Sequence, residues 1–314
     1  MKPNIFSLKV RFLFLCLMLS LRTFAQSELS LNTQYIETNG VTLHCKVAGS
    51  GKTMILLHGF PEFWYSWNKV IPLLSPHYKV VVPDMRGYNL SSKPEKIRDY
   101  RVELLVEDIA GLIKSLGNEQ VILVGHDWGG IVAWLTASKH PELIEKLIIL
   151  NVPHPLEIKK QVFGGNLRQM GKSWYAFAFQ TPFLPELMLS RNPKKTFTHF
   201  LTGWAIDKSA FSDADIAEYV KVYPNRKAFK YPIQYYRSLI QHTFFQNNKK
   251  WQAIAAPTLV LWGEKDKALG KELTYRTQNY CTQKVKIEYL PNCSHWIQQE
   301  QPNWVATQIL EFCQ

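Results

Sequence analysis

A ten-residue run, VILVGHDWGG, joins a short apolar strand to a carboxylate flanked by glycines. Gly125 and Gly129 stand two positions on either side of Asp127, as is required where a nucleophile occupies a tight strand-to-helix turn. The backbone N–H of Trp128 would then begin the helix and point at negative charge developing on the attacked group. The pattern therefore predicts that Asp127 is a nucleophile.

A carboxylate nucleophile restricts the substrate. Its pKa of about 3.9 leaves it ionised at neutral pH, so it needs no base for activation. Attack on an ordinary ester would form a reactive anhydride, whereas attack on a saturated carbon forms a stable alkyl ester. The predicted electrophile is therefore the carbon of an epoxide or of a carbon–halogen bond. A general base is then needed to activate the water that cleaves the ester.

The base and its orienting acid are expected after the late strands of the chain. His295 follows the last predicted strand, and Asp266 follows the strand before it. Glu264 is the weaker alternative for the acid, and Asn151, after an earlier strand, cannot supply a charge. The order Asp127, Asp266, His295 at strand ends predicts a nucleophile–acid–base set.

A second hydrogen-bond donor is expected in the sequence HGFP, which follows an early strand. The N–H of Phe60 would join that of Trp128 in an oxyanion hole. Phe60, Pro61 and Trp128 are also predicted to contact the substrate. His58 and His126 lie beside these motifs and are predicted to support the loops.

The elements that position these residues alternate between strands and helices, which predicts an α/β fold with a mostly parallel sheet covered on both faces. The predicted strands are 42–47, 54–57, 79–83, 120–124, 146–150, 258–262 and 285–290, and the predicted helices of this pattern are 102–116, 128–139 and 303–312. Between 152 and 251 the pattern gives way to proline-broken, aromatic-rich helical segments. We therefore expect core residues 26–151 and 252–314 with a helical cap, 152–251, inserted between them.

The first 25 residues differ from the rest. Lys2, Lys9 and Arg11 precede an apolar run, 12–21, and a small residue, Ala25, offers a cleavage point. This pattern predicts a signal peptide and an exported, periplasmic or secreted protein. The alternative is a retained N-terminal membrane anchor, but the run has about half of the roughly 20 apolar residues that span a bilayer.

Charge and composition exclude several classes of protein. The chain has 314 residues, 46% of them apolar, and a formal charge of +12. Without the four cations of the leader it holds 33 basic and 25 acidic residues, a charge of +8, and the excess is scattered. No nucleic-acid motif and no CxxC pair is present, so neither a nucleic-acid partner nor a metal is predicted. No specific protein partner is predicted either, and a membrane contact is expected only if the leader is retained.

Six stretches together resemble the epoxide hydrolases of the α/β-hydrolase fold. They are HGFPEFWYSW, PDMRGYNLSSKP, GHDWGG, NVPHP, LWGEKD and SHWIQQEQP, and the resemblance runs from about Gln34 to Phe312. The set is most similar to the C-terminal domain of the mammalian soluble enzyme and to its exported or membrane-anchored relatives. Asn89 departs from the pattern, since many relatives have glycine there. The resemblance implies a cap domain and hydrolysis of an apolar epoxide by water to a vicinal diol, without a metal or organic cofactor.

The resemblance also implies two cap tyrosines that donate to the epoxide oxygen. Tyr175 in SWYAFAFQ and Tyr236 in QYYRS stand in the matching places, and Tyr235 is a neighbouring competitor. A tyrosine hydroxyl, with a pKa near 10, stays protonated at neutral pH and can donate.

Two rival functions remain open from sequence. A haloalkane or haloacid dehalogenase would use the same Asp127, Asp266 and His295 and hold the halide with a donor such as the Trp128 indole. A non-catalytic ligand-binding protein could also use this fold. Cap aromatics predict an apolar channel in any of these cases; they are Phe163, Trp174, Phe179, Phe183 and Trp204.

Overall fold

An eight-stranded sheet forms the centre of the protein in a computed structural model, which describes residues 31–243 and 251–314. The predicted signal peptide lies outside the described residues. The strands are β1 (Asn32–Thr38), β2 (Val41–Ala48), β3 (Thr53–Leu57), β4 (Lys79–Pro83), β5 (Val121–His126), β6 (Ile144–Leu150), β7 (Thr258–Gly263) and β8 (Val285–Leu290). Their order is β1-β2-β4-β3-β5-β6-β7-β8, and only the pairs β1–β2 and β2–β4 are antiparallel. The predicted α/β class with a mostly parallel sheet is confirmed.

Helices follow most of the strands. In the described part of the chain the α-helices are α1 (Ile71–Leu74), α2 (Val102–Ser115), α3 (Trp128–Lys139), α4 (Pro155–Phe163), α5 (Leu167–Lys172), α6 (Trp174–Ala178), α7 (Leu184–Ser190), α8 (Pro193–Phe197), α9 (Asp213–Val222), α10 (Arg226–Ser238), α11 (Ile297–Glu300) and α12 (Pro302–Cys313). Short 3-10 segments lie at 64–67, 97–100, 141–143, 208–210, 271–274 and 277–280, and π-helical turns at 198–202 and 239–243.

The central strands of the sheet are buried on both faces because their successive side chains enter different apolar clusters. In β3, Ile55 and Leu57 pack in one cluster, with Trp134 of α3, while Met54 and Leu56 pack in the other. This period of two is the strand repeat, and burial on both sides explains why the central strands read as continuous apolar runs.

Strand β1 was not predicted. Its residues are almost all exposed, with only Thr38 buried, so it has no apolar pattern to reveal it. It is held instead by backbone pairing with β2 over seven residue pairs, Asn32↔Val47 to Thr38↔Val41. Edge strands that depend on backbone hydrogen bonds rather than on core side chains leave little signal in sequence.

The segment between β6 and β7 is helical, as the proline-broken pattern suggested, and residues 151–243 and 251–257 contain no β-strand. Residues Leu31–Gln314 form one compact unit that includes these helices. The boundaries of a separate cap at 152 and 251 therefore stay a prediction. Within 31–243 and 251–314, no helix combines the length and apolar composition needed to cross a bilayer.

Candidate active site

The turn between β5 and α3 holds Asp127 in a strained conformation. Its backbone φ is 51°, a region that residues other than glycine rarely adopt. The turn closes tightly because Gly129 lies against the end of β3, where an added Cβ would be 2.4 Å from the Leu57 carbonyl oxygen. The elbow predicted from glycine spacing therefore exists, and it lifts the Asp127 carboxylate above the carboxyl ends of the parallel strands.

The two oxygens of the Asp127 carboxylate have different surroundings. Oδ1 accepts a hydrogen bond of 2.8 Å from the Phe60 N–H, and Oδ2 lies 3.6 Å from Nε2 of His295. Burial raises the pKa of Asp127, but the nearby His295 and the Phe60 N–H outweigh it, so the pKa lies below its usual value. Trp128, whose N–H was predicted as the second donor, is the first residue of α3. The carboxylate is thus buried, ionised and partly held by a backbone donor.

His295 is joined to Asp266 by a hydrogen bond of 2.7 Å between Nδ1 and Oδ2. Burial lowers the pKa of His295, but Asp266 and Asp127 on its two sides raise it above the usual value. Glu264, the weaker alternative, is instead paired with Lys271 at 2.7 Å. The structure therefore brings Asp266, and not Glu264, to the histidine.

Asn151 positions Asp266, although its lack of charge had ruled it out as the acid itself. Its side-chain amide donates to Asp266 Oδ2 over 2.8 Å and accepts from the Gly263 N–H over 2.9 Å. The other oxygen of Asp266 accepts from the N–H groups of Ala268 and Leu269. The pKa of Asp266 is lowered although burial raises it, because His295 and these donors stabilise the carboxylate. Asn151 fixes the orientation of the acid, and only its place after a strand could have indicated it.

The two histidines predicted to support loops do so in the structure. His58 donates from Nδ1 to the Gly59 carbonyl, and its Nε2 accepts from the Met85 N–H over 3.0 Å, while burial lowers its pKa. His126 lies 2.9 Å from the carbonyl oxygen of His295 through Nε2 and 3.1 Å from a Glu62 carboxylate oxygen through Nδ1. No sequence pattern had indicated Glu62.

Tyr175 and Tyr236 come from two cap helices, α6 and α10, and meet in the cavity that also contains Asp127. Their ring centroids are 5.8 Å apart. Burial, followed by charged or polar neighbours that include Asp127, raises the pKa of both hydroxyls far above the ordinary value, so both stay protonated. Tyr235 turns away, because its hydroxyl donates to the Arg86 carbonyl over 2.6 Å.

The cavity has two apolar branches, here called arms, which meet at the nucleophile and the two tyrosines. Asp127, Tyr175 and Tyr236 line both of them. One arm continues past Trp128 along aliphatic side chains, which are Ile131, Val152, Ile158, Val162, Leu239 and Ile240. The other is lined by aromatic and small side chains, namely Phe60, Pro61, Phe179, Phe200, Trp204 and Trp296, with His295 at its wall. The three residues predicted to contact substrate thus divide between the arms.

Two of the predicted channel aromatics are not in the channel. Trp174 is 66% exposed, and Phe183 is 71% exposed and borders a separate surface cavity beside α7 and α10. The prediction was wrong for them because an aromatic residue in a helix, or just before one, can face outward, and composition does not show which do. The side chain of Phe163 lies outside the described part of the structure.

Comparisons with known proteins agree with this geometry. Residues 52–302 match the family model of the alpha/beta hydrolase fold. The chain is 39% identical to the AB hydrolase superfamily protein YfhM of Bacillus subtilis over 89% of this chain and 96% of that protein. It is 37% identical to human epoxide hydrolase 4, over 88% of this chain and 77% of that protein.

A solved structure is similar over nearly the same extent. The epoxide hydrolase of Bacillus megaterium, crystallised with an inhibitor, superimposes with a TM-score of 0.82 at 30% identity, covering 89% of this chain and 99% of that one. The fold, the matched residues and the similarity over nearly nine tenths of the chain agree. This chain belongs to the α/β-hydrolase family, in the branch that contains the epoxide hydrolases.

Proposed function

We propose that this protein is an epoxide hydrolase that converts an apolar epoxide to a vicinal diol through an alkyl ester on Asp127. One observation carries the proposal: a buried, ionised carboxylate and two permanently protonated tyrosine hydroxyls line the same apolar cavity, with His295 and Asp266 behind the carboxylate. A nucleophile for carbon and acids for the epoxide oxygen are the two groups that ring opening needs.

In the first half-reaction, Oδ2 of Asp127 attacks an epoxide carbon and forms a C–O bond as the ring C–O bond breaks. Oδ1, which accepts from the Phe60 N–H, becomes the carbonyl oxygen of the ester. The hydroxyls of Tyr175 and Tyr236 hydrogen-bond the ring oxygen, and one of them supplies the proton that the oxygen needs. The product of this step is a hydroxyalkyl ester of Asp127.

In the second half-reaction, water attacks the Asp127 carbonyl carbon and His295 takes its proton. Esterification removes the charge of Asp127, which is one of the two carboxylates that raise the pKa of His295. The pKa of His295 therefore falls once the ester has formed, and a larger fraction of the histidine is neutral and able to act as the base. Phe60 and Trp128 N–H groups stabilise the oxyanion, and the ester C–O bond breaks as the leaving alkoxide takes the proton from His295 to complete the diol. The second proton of the water, left on the Asp127 carboxylic acid, returns to the tyrosinate, which restores the ionised carboxylate and the protonated tyrosine.

The cavity supports an apolar substrate whose larger substituent lies on one side of the epoxide ring. The reacting groups lie where the two arms meet, and the aliphatic arm, with a volume of about 100 Å³, has more free space than the aromatic arm, with about 20 Å³. Aliphatic side chains line one arm and mostly aromatic ones the other. We propose that the larger apolar substituent occupies the aliphatic arm and that the aromatic arm takes only a small group.

The dehalogenase alternative has less support. Its halide donor would be an indole N–H such as that of Trp128, but this indole packs edge-on against the ring of Tyr236, with the ring centroids 5.2 Å apart. The tyrosine pair also supplies donors suited to an oxygen that stays attached to the product. A ligand-binding protein would not need an ionised nucleophile paired with a base and its acid.

A single turnover of an aryl-substituted epoxide in ¹⁸O-water tests the proposal. We expect diol formation and ¹⁸O in the peptide containing Asp127, because water attacks the carboxyl carbon. A chloroalkane run in parallel should release no halide. Halide release without diol would assign the protein to the dehalogenases, and neither product would support the binding protein.

The variant His295→Gln provides a separate test of the base. Alkylation needs no base, so this variant should accumulate the ester, visible in an intact-mass spectrum as an adduct of the epoxide's mass. Asp127→Ala is the matched control and should show no adduct. An unmodified mass for His295→Gln after epoxide addition would contradict the assignment.

We also propose that the protein is exported after cleavage behind Ala25, on the charged, apolar and small segments of the leader. N-terminal sequencing of the protein from its native host tests this. A chain that starts at residue 26 is expected, and one that starts before Phe12 would indicate a retained anchor.

A further inference from the structure

Apolar side chains lie on the outside of three consecutive cap helices. Eight of them, which we name the outer cap face, are exposed: Leu167, Met170, Trp174, Phe177, Phe183, Leu184, Leu187 and Met188. They belong to α5, α6 and α7 or directly precede α7. Large apolar residues scattered singly over a surface are normal, but this density within 22 residues is typical of an interaction site.

Helix α7 exposes apolar residues and buries a charged one, which is the reverse of the usual pattern. Leu187 and Met188 face solvent, whereas Glu186 is buried and ion-paired with the buried Arg237. A surface helix in water normally buries its apolar residues and exposes its charges. The reversed pattern indicates that the outer side of α7 is adapted to an apolar environment.

Phe183, just before α7, is held in the left-handed region with a φ of 64° and is 71% exposed. An aromatic residue in this conformation is strained, and such strain persists at functional positions. The guanidinium of Arg226 lies 5.8 Å from the centre of its ring. An exposed aromatic ring is thus presented beside a cation.

The charge around the outer cap face is one-sided. Residues 158–206 contain seven Lys or Arg residues and a single acid, the buried Glu186. The exposed cations are Lys160, Arg168, Arg191, Lys194 and Lys195. Residues 158–206 therefore combine exposed apolar side chains with positive charge and expose no carboxylate of their own, although Asp213 lies 3.7 Å from Lys194.

We propose that the outer cap face docks on an anionic lipid membrane. Apolar side chains inserted at the headgroup boundary and basic side chains around them are the combination that holds proteins on such surfaces. A second copy of the chain fits less well, because face-to-face pairing would bring like charges together. The docking stands on the surface alone, whereas the entry of substrate from the membrane rests on the proposed function.

The docked face leads to the cavity. Phe177 is 45% exposed on the outer cap face and also lines the aliphatic arm together with Tyr175. Docking therefore places a wall of the cavity at the lipid, where apolar epoxides concentrate. The membrane serves as the source from which the substrate enters.

Hydrogen–deuterium exchange of the full chain tests the docking. We compare phosphatidylcholine vesicles with about one third phosphatidylserine, pure phosphatidylcholine vesicles, and no vesicles. Slower exchange in peptides from 165–190 is expected with the anionic vesicles and much less with the neutral ones. Vesicle binding without protection of these peptides would overturn the proposal, because the attachment would then lie elsewhere. Protection that rises with protein concentration in the absence of vesicles would also overturn it, because it would indicate self-association.

Matched variants separate docking from folding. Leu187→Ser with Met188→Ser should lower the affinity for anionic vesicles by about tenfold or more, because two inserted apolar side chains are lost. Tyr275→Ser removes a side chain that is also exposed, 65%, but lies outside the outer cap face, and should leave the affinity unchanged. Equal affinities of the two variants would overturn the proposal. Diol formation from a water-soluble epoxide should be the same in both.

Discussion

At the scale of single residues, the local environment gives neighbouring groups of the site different protonation states. Tyr175 and Tyr236 are buried beside Asp127, so their hydroxyl pKa values rise and they keep their protons. Asp127 lies in the same cavity but stays ionised, because His295 and a backbone N–H stabilise its charge. Donor and nucleophile therefore coexist within one apolar site at neutral pH.

The tyrosine pair gives a first prediction. Tyr175→Phe with Tyr236→Phe should slow alkylation of Asp127 by a factor of about 10² to 10⁴, the usual contribution of general acids. Tyr235→Phe is the control, since its hydroxyl bonds to Arg86 and not to the cavity. Rapid quenching followed by intact mass measures the single-turnover rate. Alkylation as slow in the control as in the double variant would contradict the assignment.

The pH dependence of ester hydrolysis gives a second prediction. The water-activating His295 must be neutral, so the hydrolysis rate should rise with pH and level off above its pKa in the ester form. Asp266→Asn removes the negative charge that most raises this pKa, so the inflection should move to lower pH. The plateau should also fall, because the imidazole loses its orienting acceptor. An inflection that moves to higher pH, or stays in place, would contradict the role given to Asp266.

At the scale of elements, the position of the nucleophile depends on how closely α3 approaches the sheet. Gly129 lies against the carbonyl at the end of β3, and Gly59 lies against Asp127 itself, where an added Cβ would be 2.4 Å from the Asp127 Cβ. These contacts allow the turn to carry its strained residue. The positions of the active-site loop and of the N-terminus of α3 are thus fixed by close packing at these two glycines.

The variant Gly129→Ala should therefore unfold more easily. Its Cβ would be 2.4 Å from the Leu57 carbonyl oxygen, and backbone cannot move aside, so we expect a loss of about 2 kcal/mol or more in the free energy of unfolding. Gly171→Ala is the control, because that Cβ meets nothing within 4 Å. It should be neutral or slightly stabilising. Urea unfolding measures both, and equal midpoints would refute the argument.

At the scale of the whole molecule, the cap is tied to the loops that carry the catalytic candidates. The Trp296 indole N–H donates to the Phe200 carbonyl over 2.9 Å, and the Lys172 ammonium donates to the Asp266 carbonyl over 2.9 Å. Glu300 makes a third link, because one carboxylate oxygen accepts from the backbone N–H groups of both Ile206 and Asp207, 2.8 Å each. The tyrosines of the cap are thereby kept in register with the carboxylate of the core.

Glu300→Gln should loosen this link. The other carboxylate oxygen accepts from the Ser294 N–H over 3.0 Å, so an amide must turn its NH₂ toward a backbone donor on one side. Each buried group left without a partner costs about 1–3 kcal/mol, and the variant should lose stability by that amount. Hydrogen exchange should quicken at 206–207.

Glu311→Gln serves as the control for this change. Glu311 is exposed near the end of α12, so the substitution should leave both the stability and the exchange at 206–207 unchanged. Unaltered exchange in Glu300→Gln would show that the cap does not depend on this carboxylate.

The sequence alone determined the central sheet and the order of the chemical groups along it. Apolar runs that are buried on both faces, such as β3, β5 and β7, read directly as strands, and the elbow with Asp127 follows from local glycine spacing. These features depend on neighbours within a few residues, so local physics is enough to predict them. The α/β class and the family resemblance rest on the same features.

Only the tertiary structure decided which side chains meet. Tyr235 and Tyr236 are adjacent on α10 and point about 100° apart, so only packing shows that Tyr236 faces the cavity. Asn151 and Asp266 come together from 115 residues apart, across the ends of β6 and β7. The exposed face of α7 is likewise invisible in composition. Direction and long-range contact are properties of the packed molecule, and these residues acquire their partners only there.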